Sequence, residues 1–220
     1  MDENLGMNKS KDWFATIIEN FYNDLLNGEN VRYLELFSKL QIQIEGWFRG
    51  ELMNYIDRNH CGMTVENREV PIPNDKRKKV DLKVKCPKHE NYWIELKHIL
   101  VGCQKVSQFN LNSYFYNGKT GSNIANDIIK LRKLGNSADS KNKLIIVFVS
   151  TNEQFEDECK KKNGSLENYI IKDNKDLQSK IKAIKNEDSK NNHRYDDADL
   201  EDSNYNGKAH FGYFILRIRD

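Results

Sequence analysis

Residues Val65 to Val101 read VENREVPIPNDKRKKVDLKVKCPKHENYWIELKHILV. Alternation divides this stretch into strands, because side chains along a strand point to opposite faces with a period of two. In KKVDLKVK, Val80, Leu82 and Val84 share one face while Lys79, Asp81, Lys83 and Lys85 share the other. In YWIELKHI the same rule puts Tyr92, Ile94 and Leu96 on one face and Trp93, Glu95 and Lys97 on the opposite one. Each strand is expected to give one face to the core and a charged face to the outside. An earlier strand, around Thr64 to Ile72, is expected to end or become irregular at Pro71 and Pro73, since proline cannot donate to a ladder. The basic run NDKRKK reads as the turn that follows it. Cys86 to Asn91, containing Pro87, reads as a short polar connection between antiparallel neighbours. Asp81, Glu95 and Lys97 can then converge on one side of a hairpin.

Two carboxylates and a lysine held together suit particular chemistry. Carboxylate oxygens bind a hard divalent cation such as Mg²⁺, which keeps several waters and completes its shell with phosphate oxygens. A lysine beside it can orient an attacking water or offset charge developing on a phosphodiester. The same residues also admit a plainer reading. In a chain that is 31% charged, an Asp and an E-x-K some way downstream arise readily by chance. Opposite charges facing each other across exposed strands contribute only about 0.2–1 kcal/mol a pair.

Asp81 followed by Glu95-Leu96-Lys97 on the next strand resembles the PD-(D/E)xK nuclease superfamily, with Val80 in place of the proline of the family's name. The resemblance implies an α/β fold: a restriction-endonuclease-like central mixed β-sheet flanked by helices, with an α-β-β-β-α-β core. It implies Mg²⁺, with Mn²⁺ as a substitute, held by Asp81, Glu95 and the carbonyl of Leu96, and Lys97 assisting the water. Hydrolysis of DNA to a 5′-phosphate and a 3′-hydroxyl would follow, as in a type II restriction-type endonuclease. RNA stays open as a substrate. A homodimer is implied too, because two antiparallel DNA strands need two centres. A repair or recombination nuclease, and a non-catalytic nucleic-acid-binding subunit on the same fold, are the alternatives.

The order of elements agrees with that resemblance. Asp12 to Leu26 carries Trp13, Ile17, Phe21 and Leu25 four apart, as in an amphipathic helix. A second, longer helix is expected from Val31 to about Asn59, with an apolar stripe through Ile44, Trp47, Phe48, Leu52 and Tyr55. Glu51 lies inside this stripe, where a carboxylate is costly unless partnered. In the resembling family a glutamate from this helix often joins the site, which makes Glu51 a fourth catalytic candidate; Glu45 sits nearer the edge of the stripe. Downstream, NIANDIIKLRKL reads as a helix capped by Ser122 or Asn123, with Ile124, Ile128, Leu131 and Leu134 as its buried row. Gly135 ends it, and KLIIVFVS (143–150) reads as a strand covered on both faces. Lys76, Arg77, Lys78 and Lys79, with Lys130 and Arg132 on the helix, are candidate contacts to a nucleic-acid backbone. Gln104 and Gln108 lack a tyrosine four residues on, so a Q-x-x-x-Y signature is missing. Tyr114, Phe115 and Tyr116 suit either base stacking or a core.

A single nuclease domain over 1–220 is expected: 1–30 an N-terminal helical extension, 31–151 the catalytic core, and 152–220 the remainder. That remainder comprises helices at Glu153 to Asn163 and Asp176 to Lys185, an acidic loop at 186–207, and a last strand at Tyr213 to Ile218. The formal charge of +2 conceals segregation, since basic residues cluster at 76–88 and acidic ones after Glu187. A polyanion partner is compatible with that local field. There is neither an apolar run of about 18 residues nor an apolar leader, so no membrane association is expected and the chain is placed in the cytoplasm. Cys61, Cys86, Cys103 and Cys159 form no C-x-x-C pair, which argues for reduced thiols and against an iron–sulfur centre. Zinc is not expected from His60, Cys61, Cys86 and His89, whose spacing is wrong for it.

Overall fold

The most apolar strand sits where its composition requires. Asn142–Thr151 is buried along its whole length, and two neighbours cover its edges. On one side Tyr92–Val101 runs parallel to it, in register from Tyr92 opposite Asn142 to Val101 opposite Thr151. On the other, Phe211–Ile218 runs antiparallel, with Ile146 facing Ile215 and Phe148 facing Tyr213. The computed structural model describes residues 13–40, 42–59, 62–73, 75–86, 91–101, 124–135, 141–151, 198–206 and 211–218.

Within the described residues the elements run α1 (Trp13–Asn27), α2 (Asn30–Leu40), α3 (Glu45–Asn59), β1 (Thr64–Ile72), β2 (Asp75–Lys85) and β3 (Tyr92–Val101). They continue with α4 (Ile124–Arg132), β4 (Asn142–Thr151), β5 (Ala198–Asn206) and β6 (Phe211–Ile218). Among them the sheet has six strands in the order β1-β2-β3-β4-β6-β5. It is mixed: β3 and β4 are parallel and the other pairs antiparallel. A parallel pair needs a crossover, and α4 lies in the segment between β3 and β4.

Helices lie on both faces. On one, Phe14, Ile18, Phe21, Tyr22 and Leu25 of α1 and Phe48, Leu52 and Ile56 of α3 pack in one cluster with Leu82, Ile94, Leu96, Ile146 and Tyr213. Phe48 stacks on Phe148 at 4.1 Å and on Phe211 at 4.8 Å between ring centroids. Tyr22 closes the contact by donating its hydroxyl to the carbonyl of Phe211 (2.9 Å). So α1, expected as an extension, supplies core. Ile124, Ile128 and Leu131 of α4, with Leu134 just beyond it, are buried, as their spacing implied, and α4 packs against β3, β4 and β6. Gly135 follows with a φ of 70°, the left-handed geometry that ends helices.

Three expectations need correction. The helix expected over Val31 to Asn59 is two helices, broken around Ile42 to Ile44. Ile42 N–H reaches back to Phe37 O (3.0 Å) and closes α2, and Ile44 N–H goes to His98 Nδ1 (3.3 Å) instead of continuing the helix. A partner from β3 thus takes the donor that helix propensity alone would have kept. The run read as a basic turn is mostly strand, since β2 begins at Asp75 and pairs Lys79 with Pro71 and Val80 with Val70. Part of the expected acidic loop is strand β5, paired antiparallel to β6 from Ala198 opposite Ile218 to Asn206 opposite Phe211. Polar and acidic side chains are tolerated there because β5 is an edge strand, and Asp202 accepts the Tyr213 hydroxyl at 2.7 Å. Among the described residues no helix is long and apolar enough to cross a membrane. The expected helices at 153–163 and 176–185, the 102–123 stretch with Gln104, Gln108 and Tyr114 to Tyr116, and Cys61, Cys103 and Cys159 lie outside the described residues.

Candidate functional site

The site forms where β2 and β3 part. Their pairing covers Leu82 with Ile94, Lys83 with Trp93 and Val84 with Tyr92; one step further, Asp81 and Glu95 face each other on the side away from Leu82 and Ile94. Asp81 closes the ladder with its side chain, its Oδ2 accepting the Leu96 N–H at 2.9 Å. Its Oδ1 faces the Arg49 guanidinium of α3 at 3.3 Å. Glu95 is 1% exposed and Trp93 3%, and Lys83 lies over the Trp93 ring at 4.8 Å from its centroid. The face expected to be charged and outward is therefore covered. Glu95 is no solvated surface partner, and a buried carboxylate must have its charge answered locally.

Helix α4 supplies the answer. Lys130 Nζ lies 2.6 Å from Glu95 Oε1 and 3.2 Å from Asp127 Oδ1. Lys97 Nζ lies 3.1 Å from Asp127 Oδ2, and Asp127 is itself buried. Spacing explains why one helix can do this, since residues three apart share a face. A chain of alternating charge results, Glu95, Lys130, Asp127, Lys97, running from the strand to the helix and back.

The first turn of α3 brings Glu45 into the same field. Burial raises its carboxyl above the usual range; Lys97 then pulls it down, Asp81 pushes it up, and Arg49 and Asp127 follow with smaller effects. Glu95 is pushed up to about 9, first by burial, then by the charges of Asp81 and Asp127, against the pull of Lys130. Lys97 is raised: burial works against its charge, but Asp127, Glu45 and Glu95 more than offset it. Lys130 is raised in the same way, with Glu95 and Asp127 outweighing burial. Both lysines are ammonium groups at neutral pH.

Beneath this cluster, His98 ties α3 to the sheet. Its Nδ1 lies 3.3 Å from Ile44 N and 3.0 Å from Gln43 Oε1, and its Nε2 lies 2.7 Å from Ser150 Oγ, the direction of these bonds following the tautomer. Burial lowers its pKa to about 4, so it is a neutral strut. The result is that α3 starts at Glu45, one residue beyond the His98 contact.

Asp81, Glu95 and Lys97 are thus brought into one charged cluster, with Leu96 joining through its backbone N–H. Glu51 is half-buried on α3 and is absent from the groups that shape the charges of Glu45, Glu95, Lys97 and Lys130. Of the backbone-contact candidates, Arg77, Lys78 and Lys79 are exposed on β2, with Lys79 paired to Glu69 at 3.1 Å. The side chain of Lys76 lies outside the described residues. Lys130 is spent inside the cluster and Arg132 is half-buried in the last turn of α4. Residue reasoning placed Glu45 second to Glu51, and it missed Arg49 and the role of Asp127. Phase was the available signal for the first two: with Phe48, Leu52 and Ile56 as the buried row, Glu45 and Arg49 flank that row and Glu51 falls outside it.

A cluster of this kind can seat a hard cation between facing carboxylates and present ammonium donors to an anion. Among the described residues, no three His, Cys, Asp or Glu side chains gather as a ready ligand set. No protein-family model, curated protein or solved structure matches the chain.

Proposed function

We propose that the chain is a metal-dependent endodeoxyribonuclease of restriction-endonuclease-like fold, hydrolysing phosphodiester bonds at Asp81, Glu95 and Lys97. The observation that carries this reading is the pair of carboxylates from diverging strands, one of them buried, held beside a lysine ammonium. Mg²⁺ fits the donor chemistry, because it is commonly bound through one or two carboxylates together with waters and substrate phosphate oxygens. Asp81 and Glu95 provide such a pair; burial raises Glu95 first and the charge of Asp81 adds to it, and a cation held there would offset both. An ion bound there would supply Lewis acidity to the scissile phosphate and would acidify a water.

The chain's own groups do the rest. Lys97, oriented by Asp127, keeps its proton and so acts as a donor toward a phosphate oxygen or the attacking water rather than as a base. Glu45, whose proton affinity burial raises, stands ready to take or give a proton near Lys97. The exposed Arg77 and Lys78 lie on the strand that leads to Asp81, where they can hold a phosphate backbone. Cutting both strands of a duplex calls for two such sites and hence a dimer.

The test is incubation of circular and linear duplex, branched DNA and RNA with Mg²⁺ or Mn²⁺, beside a chelator control, followed by end analysis. Metal-dependent cuts in intact duplex leaving 5′-phosphate and 3′-hydroxyl ends are expected. Discrete bands from plasmid mark a restriction-type enzyme. Absence of cleavage with every substrate and either metal would remove the proposal.

A further inference from the structure

The two carboxylates proposed to hold the ion meet their cations at different distances and depths. Glu95 is 1% exposed, and Lys130 grips it at 2.6 Å from within the site. Asp81 is held loosely: its Arg49 contact is 3.3 Å, and the two side chains are 23% and 18% exposed. Charge-assisted pairs settle at about 2.7–2.9 Å when nothing opposes them. Asp81 Oδ2 already accepts from the Leu96 N–H, so Oδ1, the oxygen that Arg49 faces, is the one left for any other partner.

We propose that Arg49 is a resident counter-ion: a divalent cation exchanges with it at Asp81 Oδ1, and the released guanidinium then takes a phosphate oxygen of the nucleic acid. This rests on the nuclease reading and adds a regulation to it. Without metal, Arg49 and Asp81 neutralise each other, and the guanidinium is held away from a phosphate. With metal, Arg49 has no carboxylate to hold, yet its helix keeps it beside the ion. Its planar fork suits two phosphate oxygens, as a lysine ammonium does not. Because binding couplings are reciprocal, the nucleic acid must tighten the metal by the same factor by which the metal tightens the nucleic acid. Lys130, in shorter contact with a carboxylate that is buried, stays with Glu95 and Asp127.

The experiment uses the full chain. Free Mn²⁺ is measured by electron paramagnetic resonance in titrations of the parent, Arg49→Gln, Arg49→Lys and Asp81→Ala, and duplex oligonucleotide binding by fluorescence anisotropy with Ca²⁺ or chelator. Arg49→Gln should bind Mn²⁺ about two- to tenfold tighter than the parent, since a competing charge is gone. Its duplex affinity with Ca²⁺ should fall about tenfold, and the gain that Ca²⁺ gives the parent should disappear. Arg49→Lys, which keeps the charge and lacks the fork, should bind Mn²⁺ like the parent and duplex more weakly. Unchanged or weaker Mn²⁺ binding by Arg49→Gln, with Mn²⁺ binding still dependent on Asp81, overturns the exchange and leaves the nuclease reading standing. No Mn²⁺ binding by the parent, or binding that Asp81→Ala does not reduce, overturns both.

Discussion

Strand β3 has two very different edges. Toward β4 it pairs along its whole length, Tyr92 to Val101 against Asn142 to Thr151. Toward β2 the ladder runs, among the described residues, only from Tyr92 to Ile94, and beyond it a side chain, Asp81, receives the next backbone N–H. The closed edge lies in the aromatic and aliphatic core, where Phe48 and Phe148 stack at 4.1 Å. At the open edge the chain gives up ladder hydrogen bonds and gathers charge instead. Apolar packing and charge are therefore divided between the sides of one strand, and substitutions should divide the same way.

Phe148→Ala, beside the closed edge, should lower unfolding free energy by about 3–5 kcal/mol in urea titrations, as truncation of a buried aromatic does. It should leave the charges of the open edge in place. His98→Phe removes the acceptor for Ile44 N–H and the contact to Ser150, and should cost about 1–3 kcal/mol by leaving buried polar groups unmatched. Its pH signature has a definite sign. The native pKa of His98 is lowered to about 4 from the usual 6.5, so its contribution is present above 6.5 and lost as pH falls toward 4. The parent should lose stability over that window more steeply than the variant.

Glu95→Gln should separate the two edges most sharply, because stability and activity should move in opposite directions. Glu95 is raised to about 9 in the native state, so its neutral form is favoured there. Its contribution is fully present below the unfolded value near 4.5 and is lost as pH rises toward 9. In the absence of metal, melting curves of Glu95→Gln should therefore match the parent near pH 5 and exceed it increasingly up to pH 9, while cleavage falls. A gap between variant and parent that stays constant from pH 5 to 9 would show that burial does not dominate at Glu95. The smallest effect is expected at Lys79→Ala, whose pair with Glu69 is half-exposed on both sides; its stability should stay within about 1 kcal/mol of the parent.

How much of this could be read from residues follows from the same division. Period-two alternation placed Asp81, Glu95 and Lys97 on one side of their strands, and the 3.6 period found the buried row of α4, because both depend only on near neighbours. Glu51 was preferred to Glu45 because the phase of α3 is set at its start, where Ile44 N–H meets His98, more than fifty residues away in sequence. Asp127 and Lys130 were visible as residues of a helix, but their meeting with Lys97 and Glu95 depends on the crossover between β3 and β4. The strand β5 was hidden for a related reason: its own residues are polar, and its pairing comes from the apolar β6 beside it.

The central claim is that facing carboxylates and an ammonium at the open edge hydrolyse phosphodiesters with a divalent cation. Its most direct test is cleavage of duplex DNA in Mg²⁺ by the parent beside Asp81→Ala and Lys97→Ala, with melting curves of all three. The parent should cut and stop when chelator is added, and each variant should remain folded while losing about 10² or more in rate. Variants that cut at the parental rate, or cleavage that persists in chelator, would contradict it.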